Sequence, residues 1–449
     1  MKKRKRNGFR KYALVNPNWR FNGSIYFGCR APHLPIEFGY AKEILEENGH
    51  EAVIFDAHLE DLSAERLAEG IRSFQPNFTV VLTAPTYLFW RCPQPELSIP
   101  IRICSQLRNF AGTLIAVGPH ASTTPVSTIR KLAADLVIRG EFETVLPGLA
   151  GITGKELRDL PYIVDAEKAG QDFKEASGGS YAHECDTDSL PAIHWQDRFI
   201  RLHRHHHHRF DSGYKGLGAE IEASRGCPYQ CSFCARGTFR NHYRKRPLNR
   251  VLEEIDGLLF QGVTYLYFID EIFFPDSELI AALAERELQF GIQTRIDLWQ
   301  PEMFACLGEA GCVSIEAGVE SISAQGRKTY GRFMDDDAEL KAKLISARKK
   351  IPFVQATLLD GRTDSKKDVA KWRRELIRQG VWVNEPVPVF PYPGSTEYYD
   401  RWGAPDDRAW ERAHAHYLAV NRAFSDLQDN RPVALPQLER RGKCCMKTI

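Results

Sequence analysis

The sequence predicts an α/β chain: a flavodoxin-like doubly wound domain, then a partial (β/α)6 barrel, then a helical carboxyl-terminal tail. Three observations carry that reading. Short apolar runs alternate with amphipathic ones from residue 12 to about residue 150, as βαβ units require; the same alternation resumes near residue 217; and residues 151–216 between them lack it. A length of 449 residues has room for two or three domains at about 150 residues each. With 43% hydrophobic and 26% charged residues, the composition excludes wholesale disorder and fibrous structure.

In chain order, residues 1–11 read as a basic tail and residues 12–150 as the doubly wound domain, with strands at Tyr12–Val15, Ala52–Phe55, Thr79–Thr83, Leu114–Val117 and Leu136–Ile138. A helix from Ile36 to Asn48 places Tyr40, Ala41, Ile44 and Leu45 on one face and stops at Gly49. Residues 151–216 form a connector containing the linker-like Ser177-Gly178-Gly179-Ser180. Residues 217–396 carry strands near Glu220–Ala223, Thr264–Ile269, Gln293–Asp297, Val313–Ala317, Phe353–Leu359 and Val381–Val389, with helices such as Leu248–Phe260 and Lys366–Arg378 between them. Six βα units are too few for a closed eight-stranded barrel, so the barrel is read as partial. Residues 397–449 form the tail, helical from about Asp406 to Leu427, and no internal repeat is visible.

Sixty Lys and Arg against 58 Asp and Glu leave a formal charge of +2, so no global field draws the chain to nucleic acid or an anionic membrane. The Lys2–Arg6 cluster has no interleaved aromatic residue and reads as a solvated tail. Asn7, Gly8, Arg10 and Lys11 break any apolar segment after it, and the stretch Phe78–Trp90 is too short and too interrupted to span a bilayer. The expectation is a soluble cytoplasmic protein without a membrane partner, in which clustered cysteines are metal ligands or catalysts rather than disulfides.

The stretch Ser224-Arg225-Gly226-Cys227-Pro228-Tyr229-Gln230-Cys231-Ser232-Phe233-Cys234 follows the first strand of the second domain. Three cysteines in one tight loop can each bind one iron of a four-iron cubane, leaving the fourth iron open to a substrate or cofactor. A structural zinc site would need a fourth ligand, and His242, the nearby candidate, has the spacing of no common zinc knuckle. The motif, with Phe233 before the last cysteine, resembles the signature of the radical S-adenosylmethionine (radical SAM) superfamily.

That resemblance implies a 4Fe-4S cluster on Cys227, Cys231 and Cys234 whose open iron chelates S-adenosylmethionine, and reductive cleavage to a 5′-deoxyadenosyl radical. It also implies an electron donor such as flavodoxin or ferredoxin. Asp270-Glu271 after the second strand resembles the acidic element that holds the methionine ammonium, and Arg295 resembles an arginine near the cofactor carboxylate. Glu316-Ala317-Gly318-Val319-Glu320 is similar to a glycine-and-glutamate element of the fourth strand. The fifth strand departs from the family, since Leu359-Asp360-Gly361-Arg362 keeps a single glycine.

Two further loops, Gly118-Pro119-His120 after the fourth strand and Gly140-Glu141-Phe142-Glu143 after the fifth, resemble elements of the cobalamin-binding domains fused to such enzymes. They lie where a doubly wound sheet takes its ligand, and the glycines are expected to admit a bulky nucleotide tail. The loop Pro17–Pro35 lacks the Asp-x-His-x-x-Gly that donates a histidine to cobalt; it holds only His33. Asp56-Ala57-His58 follows the wrong strand and lacks the glycine, so the cobalt's lower face is left to Tyr87, Phe89, Trp90 or water.

The run His205–His208 reads first as a polar connector at the domain seam, then as a surface for an anionic group or proton relay, then as a metal site. Cys29, Cys92, Cys104, Cys185, Cys306 and Cys312 lie apart and read as background thiols, and Cys444-Cys445 as exposed thiols in a basic tail. Pro391–Thr396 is a loop that can close a pocket between the domains. The expected function is a cobalamin-dependent radical SAM methyltransferase acting on an unactivated carbon of a small molecule. Its rivals are a radical cyclase or rearrangement enzyme, an RNA methylthiotransferase, disfavoured by the near-zero charge, and a non-enzymatic cobalamin-binding module.

Overall fold

A computed structural model of the chain describes residues 8–19, 32–85, 97–152, 154–171, 182–203, 216–332, 336–360, 363–420, 423–425 and 432–434. Six strands build the first sheet: β1 (Lys11–Asn16), β2 (Glu51–Asp56), β3 (Phe78–Leu82), β4 (Thr113–Val117), β5 (Leu136–Ile138) and β6 (Ile163–Asp165), in the order β2-β1-β3-β4-β5-β6. The first five are parallel, and their order is that of a flavodoxin-like sheet, whose order reverses between β1 and β3 and opens a crevice at the strands' carboxyl ends. Tyr12, Ala13, Leu14 and Val15 are buried, as expected of a strand covered on both faces. The helix Ile36–Glu47 ends where Gly49 takes a φ of 80°. Strand β6 lies within the stretch read from sequence as connector; it pairs antiparallel with β5 and is only three residues long, too short to show a periodicity.

The second sheet runs β14-β13-β12-β11-β10-β7, all parallel. Its strands are β7 (Leu217–Ile221), β10 (Val263–Phe268), β11 (Gln289–Thr294), β12 (Cys312–Glu320), β13 (Phe353–Leu358) and β14 (Trp382–Val383). Among the described residues the first and last strands do not pair, so the barrel is open. Two expectations from the sequence differ here. Strand β11 begins four residues before the predicted Gln293, because Gly291 interrupts the pattern; a Cβ there would stand 2.4 Å from Ser314 Oγ and 2.5 Å from Tyr265 Oη. Strand β14 is two residues, not nine, since Pro386 and Pro388 cannot donate to a ladder. Asn384 continues the pairing with its side chain, accepting from Leu358 N (2.6 Å) and donating to Leu358 O (2.9 Å). Among the described residues no helix is long and apolar enough to cross a membrane.

Between the two sheets lies a buried network of arginines and carboxylates. Two short strands, β8 (Ser224–Arg225) and β9 (Arg244–Lys245), pair antiparallel and carry two of its members. Arg225 bonds Glu222 through Nε (3.0 Å), pairs with Glu143 through Nη2 (2.8 Å) and rests over the Tyr40 ring (5.1 Å). Arg240 pairs with Glu222 (2.7 Å), Glu141 (3.2 Å) and Glu271 (3.3 Å). Arg244 grips Glu141 with both terminal nitrogens, at 2.8 and 2.9 Å. Burial alone raises a carboxyl's pKa, yet the arginines beside Glu141 hold it below the ordinary range. Glu141 and Glu143 follow β5 of the first sheet and their partners follow β7 of the second, so this network joins the two halves.

Asp56, fully buried at the end of β2, accepts from Asn16 Nδ2 (3.0 Å), His58 N (3.1 Å) and Leu59 N (2.8 Å). Asp56-Ala57-His58 is therefore part of a local turn in which the carboxylate ties down the amides of His58 and Leu59. Burial outweighs those bonds and pushes the carboxyl up to about 7 from 3.8. The folded chain keeps a proton there that the unfolded chain releases, so this group's contribution to stability is full below about pH 4 and lost as pH rises to about 7. Asp56→Asn should flatten that fall, read as urea midpoints across the range. Arg225→Met strands buried carboxylates and should cost about 3–5 kcal/mol of unfolding free energy, part of which returns in Arg225→Met/Glu143→Gln.

Candidate functional site

The segment Gly226–Tyr243 is an excursion whose two ends are clasped by the β8–β9 ladder, so its base is fixed while its apex carries Cys227, Cys231 and Cys234. Gly226 has a φ of 78°, and a Cβ there would stand 2.0 Å from the His242 carbonyl oxygen; only glycine lets the two ends meet. Gly226 N donates to Glu271 Oε2 at 2.9 Å. Arg236 donates through Nε to the Tyr229 carbonyl (2.8 Å) and through Nη1 to that of Asn241 (2.6 Å), holding the turn from inside. Cys234 N donates to Cys231 O (3.1 Å) and Ser232 N to Tyr330 O (3.0 Å). Phe233 packs edge-on against the Tyr330 ring at 5.7 Å.

All three cysteines are partly buried. Burial pushes the Cys227 thiol up and that of Cys234 up to about 12. A reactive free nucleophile needs the opposite shift, so these thiols suit metal ligation, in which the metal displaces the proton.

Asp270 and Glu271 stand at the carboxyl end of β10 and are both consumed in shaping the loop's base. Asp270 accepts from Ala223 N (3.1 Å) and from the Ser224 hydroxyl, and burial pushes its carboxyl up to about 7. Burial likewise raises Glu271, with Arg240 opposing. Arg295, just beyond β11, is held by Asp297 (Nε 3.1 Å, Nη2 2.6 Å) and lies over the Tyr229 ring, 3.9 Å from its centroid, bringing it to the cysteine loop. Glu316 is half-buried on β12, in register between Gln293 and Gln355.

Several residues of this region were not evident from sequence. The missing side chain of Gly318 leaves space filled by Arg332, whose Nη1 would be 2.9 Å from a Cβ there. Arg332 pairs with Glu320, bonds the Gly318 carbonyl (3.1 Å) and reaches the Cys231 thiol. Glu397 accepts from the Ser232 hydroxyl (2.9 Å) and donates its amide to Ser232 O (3.0 Å), so the helix Thr396–Trp402 docks on the loop. Gly394, in the Pro391–Thr396 segment, has a φ of 94° and lies against Thr238. The one visible signal was glycine spacing, which marks close approach without naming what approaches.

At the carboxyl edge of the first sheet, Gly118 (φ 116°) leads into the helix Pro119–Thr123. His120 is buried with its ring centroid 4.2 Å from that of Trp410. Gly140 (φ 81°) admits connector backbone: a Cβ there would stand 2.2 Å from the His183 carbonyl oxygen. Thr123 and Thr238 share a hydroxyl hydrogen bond of 2.9 Å across the halves. Cys104, Cys185 and Cys312 are buried singly, and Cys306 is exposed. Lys2–Arg6, Cys29, Tyr87, Phe89, Trp90, Cys92, Ser177–Ser180, His205–His208, Gly361, Arg362, Cys444 and Cys445 lie outside the described residues.

Residues 221–373 match the family model described as the radical SAM superfamily. Along most of its length the chain is similar to an uncharacterized methyltransferase of Pyrococcus horikoshii, 24% identical over 401 residues, 86% of this chain and 80% of that one. It is also similar to the anaerobic magnesium-protoporphyrin IX monomethyl ester cyclase of Cereibacter sphaeroides, 23% identical over 85% of this chain but only 63% of the cyclase. Among solved structures, the radical SAM methyltransferase TsrM of Kitasatospora setae, with cobalamin and a [4Fe-4S] cluster bound, superposes with a TM-score of 0.69, covering 87% of this chain and 74% of that one at 15% identity. At that identity the superposition establishes a shared fold.

Gly226→Ala should lower the unfolding free energy, read from urea melts, by more than the about 1–2 kcal/mol that a side chain costs in left-handed backbone, because the contact with His242 adds to it. Gly257→Ala, in the helix Leu248–Phe260 where a Cβ meets nothing within 4 Å, is the control and should stabilise by about 0.5–1 kcal/mol.

Proposed function

We propose that this chain, a member of the radical SAM superfamily through residues 221–373, is a cobalamin-dependent radical SAM enzyme that methylates an unactivated carbon of a small molecule. The observation that carries the reading is the single loop of three cysteines, pinned at the barrel mouth and tied by buried arginines to a flavodoxin-order sheet. The methyltransferase similarity along most of the chain supports methyl transfer, and the TsrM fold supports the cofactor pair.

The donor set fits a cubane: three partly buried thiols carried by one loop, each able to bind one iron. Bound, the cluster and S-adenosylmethionine supply a carbon-centred radical and cobalamin supplies the methyl group. The chain's own residues bind, orient and exclude water. Cys227, Cys231 and Cys234 would hold the iron. Arg332 beside Cys231 offsets negative charge on that thiolate, and Phe233 with Tyr330 walls the loop from solvent. Asp270 and Glu271, while holding the loop's base, would set carboxyl groups beside the methionine ammonium and Arg295 a guanidinium beside its carboxylate, with Glu316 on the neighbouring strand β12. Gly118, Pro119 and His120 lie at the carboxyl edge where cobalamin would sit, and Gly140 and Glu141 frame it through the connector and Arg244. The chain itself supplies no electron, so an external donor such as flavodoxin or ferredoxin is part of the proposal.

The cyclase similarity favours one alternative, a radical cyclase or rearrangement enzyme. Anaerobic reconstitution should give about four irons per chain and one corrinoid, and Cys227→Ala should abolish the iron. With substrate, 5′-deoxyadenosine and S-adenosylhomocysteine should form together. Deoxyadenosine without S-adenosylhomocysteine would select the cyclase class, and full activity in Cys227→Ala would overturn the radical SAM reading.

A further inference from the structure

Away from the cysteine loop, His33, His203 and Glu220 meet in the interior. His33 Nδ1 lies 2.6 Å from Glu220 Oε1 and His203 Nε2 lies 2.6 Å from Glu220 Oε2, and the ring centroids are 6.3 Å apart. All three side chains are buried, at 4%, 5% and 0% exposure. One ligand atom from each falls within 4.8 Å of the others, and among the described residues no other trio of His, Cys, Asp or Glu does so.

We propose that these three residues form a metal site for a divalent first-row cation such as zinc, distinct from the cluster loop. The donor set of two imidazoles and one carboxylate is that of known His2Glu zinc sites and of the two-histidine, one-carboxylate sites of non-haem iron. The electrostatics favour it. A divalent ion would offset the charge of the fully buried Glu220 carboxylate while accepting lone pairs from all three groups. Bringing the three donors together also needs a reason, because they come from unrelated segments. His33 precedes the helix Ile36–Glu47, His203 caps the end of the helix Asp197–Leu202, and Glu220 lies on β7, the edge strand of the open barrel. A shared ion staples the loop leaving β1 and the connector to that edge. The inference does not rest on the proposed methyl transfer.

The test uses the full chain and zinc itself. After metal removal the protein is titrated with zinc chloride, in parallel with Cys227→Ala/Cys231→Ala/Cys234→Ala, which removes the competing thiols. Both should bind zinc at this site, one ion per chain in the triple variant. X-ray absorption of the triple variant should show nitrogen and oxygen at about 2.0–2.1 Å and no sulfur near about 2.3 Å. In that background Glu220→Gln and His203→Asn should weaken binding by more than the about 10- to 100-fold that loss of an outer-shell partner costs. Zinc should raise the melting temperature of the unsubstituted chain and of the triple variant. Sulfur in the coordination shell, zinc affinity unchanged in both variants, or no zinc retained by the triple variant would overturn the site and leave His33, Glu220 and His203 as a hydrogen-bonded triad. Should either variant misfold, the absorption spectrum and stoichiometry of the triple variant still decide.

Discussion

The rest of the structure depends on Glu222, Arg225 and Arg240, three fully buried charges packed where the two sheets face each other. Arg225 bonds one Glu222 oxygen and Arg240 the other, and each guanidinium has donors left over for the far side: Glu143 for Arg225, Glu141 for Arg240. Only a planar group with five donors can serve both sides at once, so lysine is no substitute at either position. A buried ion lattice is a poor source of net stability, because desolvation offsets most of the attraction. Its strength is geometric. The carboxylates and guanidiniums meet in one arrangement, and a shift of either sheet would bury charges away from their partners.

That lattice also sets the charge of the region. Glu37, Glu141, Glu143, Glu222, Glu254, Asp270 and Glu271 are buried or nearly so, against Arg225, Arg240, Arg244 and Arg246. Burial pushes Asp270 and Glu271 above the usual carboxylate range, while the arginines packed beside Glu141 and Glu222 overcome burial there and pull them below it. Glu271 belongs to the lattice through Arg240 and to the cysteine loop through Gly226 N. The loop's base therefore inherits its position from the interface between the sheets rather than from the barrel alone. A region with carboxyl groups in excess and a neutralising guanidinium, Arg332, at one thiol is suited to a cationic ligand.

Much of this was legible in the sequence, for identifiable reasons. The α/β class followed from alternation, because a parallel strand buried on both faces is a continuous apolar run and its crossover helix is amphipathic. The cysteine loop was legible because ligand spacing within one loop is a local property. What was not legible is long-range. Arg240 and Arg332 look like ordinary surface arginines until the fold brings Glu222 to one and Cys231 to the other. Gly140 and Glu141 were read as opening a cofactor cleft, yet the space beside Gly140 holds the His183 backbone and Glu141 holds Arg244. Glycine spacing reports that something comes close; the identity of the neighbour lies 40 to 100 residues away. Likewise His33 and His203 looked unrelated, being a lone loop histidine and the leading member of a histidine-rich run, until β7 placed Glu220 between them.

A second tie closes the opposite flank of the seam. The helix Ala409–Val420 returns from the barrel end to the first half, where Trp410 packs on His120 and donates Nε1 to Thr124 Oγ1 at 3.0 Å. Around it Arg130 pairs with Asp407 (2.9 Å) and Lys131 donates to the Asp407 carbonyl (2.7 Å). Exposed pairs of this kind contribute little, about 0–1 kcal/mol each, so the anchor is the buried indole with its one satisfied hydrogen bond. The helix carrying His120 is thus held by the helix Ala409–Val420, and Thr123, in the same short helix as His120, bonds Thr238 within the cysteine loop. Two independent ties, one ionic and one aromatic, set the distance between the carboxyl edge of the first sheet and the cysteine loop. A ligand bridging that distance meets walls already positioned, and less of its binding energy goes to ordering the protein.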